Sequence, residues 1–191
     1  MAAPAWVEVR LALAGALRLA RADPGGMAYF DPSPQGFWRS FRAAVLCYPL
    51  YLILLSNPIE LGTPVEVDEA SLFVVETIHY VISWVAFPLL MLPLVDRFGR
   101  GDRYFPFMVA YNWCQVPQTI LFTTVALLGA TGALSSDGML VADLFVGLAA
   151  LVYEWYVSRV ALAVSGGRAA LVIFVDILLA TVLSHIASSL Y

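Results

Sequence analysis

The chain has 191 residues, of which 61% are hydrophobic and only 13% charged, and its mean hydropathy is +0.83. This composition predicts an integral membrane protein, and no loop is long enough to bury the core of a second, soluble domain. The net charge of −4 and the lack of a basic, aromatic surface argue against a nucleic-acid partner.

The first 36 residues are predicted to lie outside the bilayer core. Residues 1–22 are interpreted as a cytoplasmic helix at the membrane interface, with Arg10, Arg18 and Arg21 within about 80° of one another around its axis. A cleaved signal peptide is disfavoured because Arg18 cuts the apolar run short. The prolines and glycines of residues 23–36 predict a turn-rich connector.

Residues 37–191 contain five apolar segments of roughly the 20 residues that a membrane-spanning helix requires. Because backbone groups in lipid must be hydrogen-bonded within the chain, the segments are expected to be helices. The predicted fold is therefore all-α, a polytopic bundle of five transmembrane helices. Its spans are placed at residues 37–56, 71–95, 107–129, 139–164 and 169–191.

The loops between these spans alternate in charge. Arg97, Arg100 and Arg103 occupy the second loop, whereas the first loop carries acidic residues and no basic one. The acids of that first loop are Glu60, Glu66, Asp68 and Glu69. By the positive-inside rule the N-terminus is cytoplasmic and the C-terminus lies outside, which predicts a multi-pass protein of a bacterial-type inner membrane.

An outer layer of ionisable residues is predicted within the membrane. Glu76 and His79 are three residues apart and share a helix face, a spacing that di-metal helical bundles also use. With Asp143 and His185, which lie at a similar predicted depth, they form a candidate site for zinc, manganese or iron. The alternatives are solvated acids near the interface, or side chains that hydrogen-bond helices together.

A deeper polar layer is predicted nearer the cytoplasmic side. Its members are Asn112, Gln115, Glu154 and Asp176. The two acids could share a proton, be neutral or pair with the amides, and a proton or ion path through both layers stays open. Asp176 and His185 are nine residues apart and so lie on opposite faces of a straight helix, which means that only one can face a common axis.

The layout resembles bacterial members of the Yip (Ypt-interacting protein) superfamily. The residues that carry this resemblance are Gln35-Gly36-Phe37-Trp38-Arg39-Ser40-Phe41 leading into a span with Pro49, then Tyr111-Asn112-Trp113 followed by Pro117, and the link Ser165-Gly166-Gly167-Arg168-Ala169. The resemblance implies a five-helix, non-enzymatic protein of membrane organisation or trafficking. It assigns no functional residue.

The sequence predicts a structural or interaction role in membrane organisation, without catalysis and without a cofactor. Common enzyme signatures such as H-E-x-x-H and G-x-S-x-G are absent. The predicted partners are the lipid bilayer and either another membrane protein or a second copy of the chain. The alternative function is a small transporter, a channel or a metal-binding membrane protein that uses the intramembrane acids and His79.

Overall fold

The structure is a computed structural model that describes residues 5–56 and 68–190. All regular structure in these two ranges is helical. The α-helices are α1 (Ala5–Ala20), α2 (Pro34–Ser40), α3 (Arg42–Leu55), α4 (Glu69–Arg97), α5 (Tyr104–Ala130), α6 (Ser136–Leu162) and α7 (Gly166–Ser188), with 3-10 helices at Pro24–Tyr29 and Gly101–Arg103. Of the predicted acidic loop, Glu60 and Glu66 lie outside the described residues, as does Tyr191 at the end of the last predicted span.

Several helices begin at a side-chain cap. Ser33, Asp68, Ser135 and Ser165 each accept a hydrogen bond from the backbone amide three residues further along, at the start of α2, α4, α6 and α7. Such caps satisfy one of the amides that a helix N-terminus leaves free. The starts of these helices are therefore encoded locally.

The first predicted span is not one continuous helix. The structure interrupts it at Phe41, whose amide donates to the carbonyl of Arg39, and the Ser40 hydroxyl donates to the carbonyl of Phe37 at 2.6 Å. These tighter contacts replace the regular four-residue pattern at this point. The segment Pro34–Leu55 nevertheless supplies 22 residues of sufficient hydropathy to cross a membrane.

Among the described residues, four helical segments are long and apolar enough to cross a membrane. They are Pro34–Leu55, Ala70–Arg97, Ser136–Leu162 and Gly166–Ser188. The chain is accordingly a membrane protein. The helix α5, which contains the third predicted span, is not among the four although it has 27 residues. Its polar side chains, Asn112, Gln115 and Gln118 among them, lower its hydropathy.

The helix α5 packs against more of the other helices than any other element of the described chain. It packs against α1, α2, α3 and α6, and it contributes the fully buried side chains of Phe107, Met108 and Trp113. Its neighbours α6 and α7 pack together, and α7 packs in turn against α4. The helices α3 and α4 meet through tyrosines: Tyr80 donates to the carbonyl of Ala44 at 2.6 Å. The order α3, α5, α6, α7, α4 therefore closes into a ring.

The N-terminal segment folds onto this ring. Ala12, Ala16 and Leu19 of α1 are buried, and α1 packs against α5 and α6. A Cβ on Gly26 would lie 2.5 Å from the carbonyl oxygen of Gly15, so the 3-10 helix can approach α1 this closely only with glycine there. The helix α1 lies within residues 1–22, and the 3-10 helix lies within the predicted connector at residues 23–36.

The arginines of the chain gather at one end of the bundle. Arg42 pairs with Glu8 at 3.0 Å, and Arg168 donates to the carbonyl of Phe98 at 3.2 Å, which joins α1, the start of α3, the end of α4 and the start of α7. The complete set at this end is Arg10, Arg18, Arg21, Arg39, Arg42, Arg97, Arg100, Arg103, Arg159 and Arg168. The opposite end carries no arginine in the described part of the chain.

Candidate functional site

A cavity of about 340 Å³ lies inside the ring of helices. All five members of the ring contribute to its wall. On one side of the cavity α4 also reaches across the ring to α5, where the Tyr104 hydroxyl donates to the carbonyl of Pro88 at 3.0 Å. The polar side chains in the wall are Tyr51, His79, Tyr80, Ser83, Tyr111, Asn112, Gln115, Thr119, Glu154, Asp176 and Ser184. The cavity thus contains residues from both predicted polar layers.

The first polar group in and beside the cavity is the Tyr51 cluster, formed by Tyr51, Glu76 and His79. The Tyr51 hydroxyl donates to Glu76 Oε2 at 2.5 Å, and His79 Nδ1 lies 3.1 Å from the same oxygen. Glu76 is only 6% exposed. The cluster connects α3 to α4, so its hydrogen bonds hold these two helices together.

The predicted four-residue metal site is not assembled. Asp143 and His185 are exposed, and the described residues contain no group of three or more His, Cys, Asp or Glu side chains that could hold a metal ion. His185 lies on the face of α7 opposite Asp176, as their nine-residue separation requires. Asp143 lies in the first third of α6, where neighbouring residues such as Val141 and Phe145 are exposed as well.

The second polar group is the Asp176 cluster, formed by Tyr111, Glu154 and Asp176. The Tyr111 hydroxyl donates to Asp176 Oδ2 at 2.7 Å. Glu154 interacts with the side-chain amides of Gln115 and Gln118 and, electrostatically, with Asp176. The structure therefore brings Glu154, Asp176 and Gln115, three members of the predicted deeper layer, to one wall of the cavity.

Asn112, the fourth member of that layer, is held by a different partner. Its Nδ2 donates to the Ser40 hydroxyl at 2.8 Å, across a separation of 72 residues. Asn112 is 2% exposed and lines the cavity. Its side-chain carbonyl accepts no hydrogen bond from the described residues, so an acceptor oxygen is left at the cavity wall.

The rest of the wall is aromatic and apolar. Phe87 stacks on Tyr111 with ring centroids 4.2 Å apart, and Tyr80 and Trp84 lie 6.0 Å apart on the same helix, α4. No arginine is among the described residues that line the cavity. The site thus combines two carboxyl groups, several neutral acceptors and aromatic faces without a permanent positive charge.

Sequence reasoning missed the tyrosines of both clusters. Tyr51 and Tyr111 stand in apolar runs, where an aromatic residue is most often core packing. The available signal for Tyr111 was its position four residues before Gln115, which places both on one helical face. No comparable local signal exists for Tyr51, because its partner Glu76 is on another helix.

Comparisons with protein-family models, with curated proteins and with solved structures found no match to this chain. The resemblance to the Yip superfamily therefore stays a prediction based on layout and short motifs. The cavity and its two polar clusters are the features of the molecule that bear most directly on function.

Proposed function

We propose that the chain is a small transporter of a bacterial-type inner membrane, with five spans, a cytoplasmic N-terminus and an outer C-terminus. The observation that carries the proposal is the cavity, which lies inside the ring of helices and is lined by Glu154 and Asp176. No catalytic activity is part of the proposal.

The helix α5 is the proposed fifth span. Its 27 residues extend over roughly 40 Å, more than the thickness of the hydrocarbon core. Its side-chain amides face neighbouring helices or the cavity, since Asn112 and Gln118 are buried and Gln115 lines the cavity. A helix surrounded by other helices can cross a membrane with lower hydropathy than one that faces lipid.

The proposed orientation is supported by the gathering of all ten arginines at one end of the bundle. Arginine-rich ends remain on the cytoplasmic side. The exposed Trp6 of α1, at the same end, fits a helix at the membrane interface.

The cavity favours transport over the structural role that the sequence predicts. A charged or polar group inside a bilayer costs a few kcal/mol and is usually retained where it faces a water-filled cavity or a transported solute. A protein that only binds other proteins would use its outer surface and would not need carboxyl groups around a cavity between its helices. The interaction role stays a prediction. Labelling of the two cysteines distinguishes it from transport.

The two cysteines of the chain offer a matched test. Both are buried, at 2% exposure for Cys47 and 1% for Cys114, but only Cys47 lines the cavity. A membrane-impermeant methanethiosulfonate reagent would be applied to right-side-out and to inside-out vesicles. Mass spectrometry of Cys47→Ser and Cys114→Ser variants would report each thiol separately.

Transport predicts that Cys47 is labelled from both sides of the membrane and that Cys114 stays unlabelled. Labelling of Cys47 from one side only would contradict transport and leave a binding cavity. Protection of Cys47 from both sides would contradict any exchange of solute and would favour the interaction role. Equal labelling of both cysteines would show general opening of the bundle, which also contradicts the proposal.

A further inference from the structure

Resting on the proposed function, we infer that the solute bound in the cavity is an organic cation, an ammonium group attached to an apolar body. Its positive charge would lie beside Glu154 and Asp176, and its apolar part would lie against the aromatic wall of α4. Three properties of the cavity favour such a ligand: its charge, the chemistry of its wall and its size.

The cavity contains two acidic groups and no permanent positive charge among the described residues. Glu154 and Asp176 both line it, and neither has a cationic partner among the described residues. The Tyr111 hydroxyl and the amides near Glu154 supply hydrogen-bond donors without a compensating charge. Because an ionised carboxylate is costly to remove from water unless it is paired, a bound cation would supply the missing counter-charge.

The aromatic side chains of the wall favour an ammonium ion. Tyr80, Trp84 and Phe87 line the cavity from α4, and Phe122 lines it from α5. Aromatic faces attract cations, and groups of such rings are a common means of recognising ammonium ions. The free carbonyl of Asn112 adds a neutral acceptor dipole, which also favours a positive ligand.

The size of the cavity distinguishes an organic cation from a metal ion. Its volume of about 340 Å³ falls within the range of small-molecule pockets. A calcium ion takes six to eight oxygen ligands, and the described residues contain no cluster of His, Cys, Asp or Glu suited to a metal. An anion would meet two carboxyl groups and no arginine, which disfavours it.

The test measures binding of benzyltrimethylammonium to the full-length protein in lipid nanodiscs by equilibrium dialysis. Neutral benzyl alcohol and anionic benzenesulfonate serve as comparisons of similar shape. We expect the cation to bind about tenfold more tightly than either, and Glu154→Gln or Asp176→Asn to weaken its binding by about tenfold each. Variants are compared only where they unfold at the wild-type temperature or above it, so that a loss of binding cannot come from unfolding.

Matched controls separate the cavity from the rest of the surface. Asp143→Asn removes an exposed acid from the same helix as Glu154 and should leave binding unchanged. Trp84→Leu should weaken binding about threefold through the loss of one aromatic face, whereas Trp6→Leu, at an exposed position, should not.

The outcomes distinguish this inference from the proposed function. Equal binding of all three probes would overturn the cation inference and leave the cavity as a binding site. Tighter binding of benzyl alcohol or benzenesulfonate would do the same and would reassign the ligand class. If no probe binds while Cys47 is labelled from both sides, the cation inference fails and transport stands. If no probe binds and Cys47 is protected, both fail.

Discussion

The two polar clusters of the bundle differ in how their charges are satisfied. In the Tyr51 cluster, the Glu76 carboxylate accepts the Tyr51 hydroxyl at 2.5 Å and lies 3.1 Å from His79 Nδ1. In the Asp176 cluster, two carboxyl groups share the cavity with hydroxyl and amide partners but no cation.

We interpret this difference as one between residues that hold helices together and residues that serve the proposed transport site. A buried acid whose partners are all in the chain stabilises the contact between helices, as Glu76 does for α3 and α4. An acid pair that borders a cavity without a counter-charge costs stability, and such a pair is typical of a site that binds a ligand. Substituting each acid should therefore change stability in opposite directions in the two clusters.

The largest effect is expected from Glu76→Ala. The substitution leaves the Tyr51 hydroxyl and His79 without their common acceptor, which should lower the free energy of unfolding by about 2–3 kcal/mol. Chemical denaturation in mild detergent would measure the loss. Glu76→Gln is the control, since its side-chain oxygen still accepts from Tyr51, and it should lose less. Equal losses in the two variants would show that the Tyr51 hydrogen bond is not what holds the helices.

A smaller effect of opposite sign is expected from Glu154→Gln and Asp176→Asn. Each substitution removes a carboxyl group that has no cationic partner and keeps an acceptor oxygen, so the free energy of unfolding should rise by up to about 1 kcal/mol. The same denaturation experiment measures the change. A loss as large as that of Glu76→Ala would place the Asp176 cluster with the structural residues and remove the contrast between the clusters.

The sequence predicts those parts of the two clusters that depend on helical periodicity. The three-residue spacing of Glu76 and His79 places them on one face, and the structure has their side chains in contact. The nine-residue spacing of Asp176 and His185 likewise requires that only one of them reach the cavity. Predicted depth alone misleads for Asp143, which is grouped with Glu76 and His79 in the outer layer but lies in an exposed part of α6.

Contacts between distant parts of the chain escape this kind of reasoning. Tyr51 joins Glu76 only because α3 packs beside α4, and Asn112 bonds to Ser40 instead of to the acids because α2 packs on α5. The break of the first span at Phe41 lies beside this contact, since the buried Ser40 accepts the hydrogen bond from Asn112 of α5. The low hydropathy of α5 is compatible with a membrane span because other helices pack against it, and the sequence does not identify those neighbours.

The smallest effect is expected at Asp31, an acid of the predicted connector that lies outside the four candidate membrane-spanning segments. Hydrogen bonds from Ser33 and the nearby Arg39 guanidinium hold the pKa of Asp31 below its usual value. Because the folded pKa is lowered, Asp31 stabilises the protein above its unfolded pKa of about 3.9, and this contribution is lost as the pH falls through the folded value.

Asp31→Asn should therefore cost less than about 1 kcal/mol at neutral pH, because the side chain is partly exposed to water. Thermal unfolding at several pH values between roughly 5 and 2 should show a weaker loss of stability on acidification in the variant than in the wild type. Like Glu76, Asp31 has its partners within the chain, so its removal should destabilise, but solvent screening makes the effect smaller. Identical pH profiles would show that the Ser33 and Arg39 contacts do not stabilise the fold. The difference between acids with partners in the chain and acids without a cationic partner would then apply only inside the bundle.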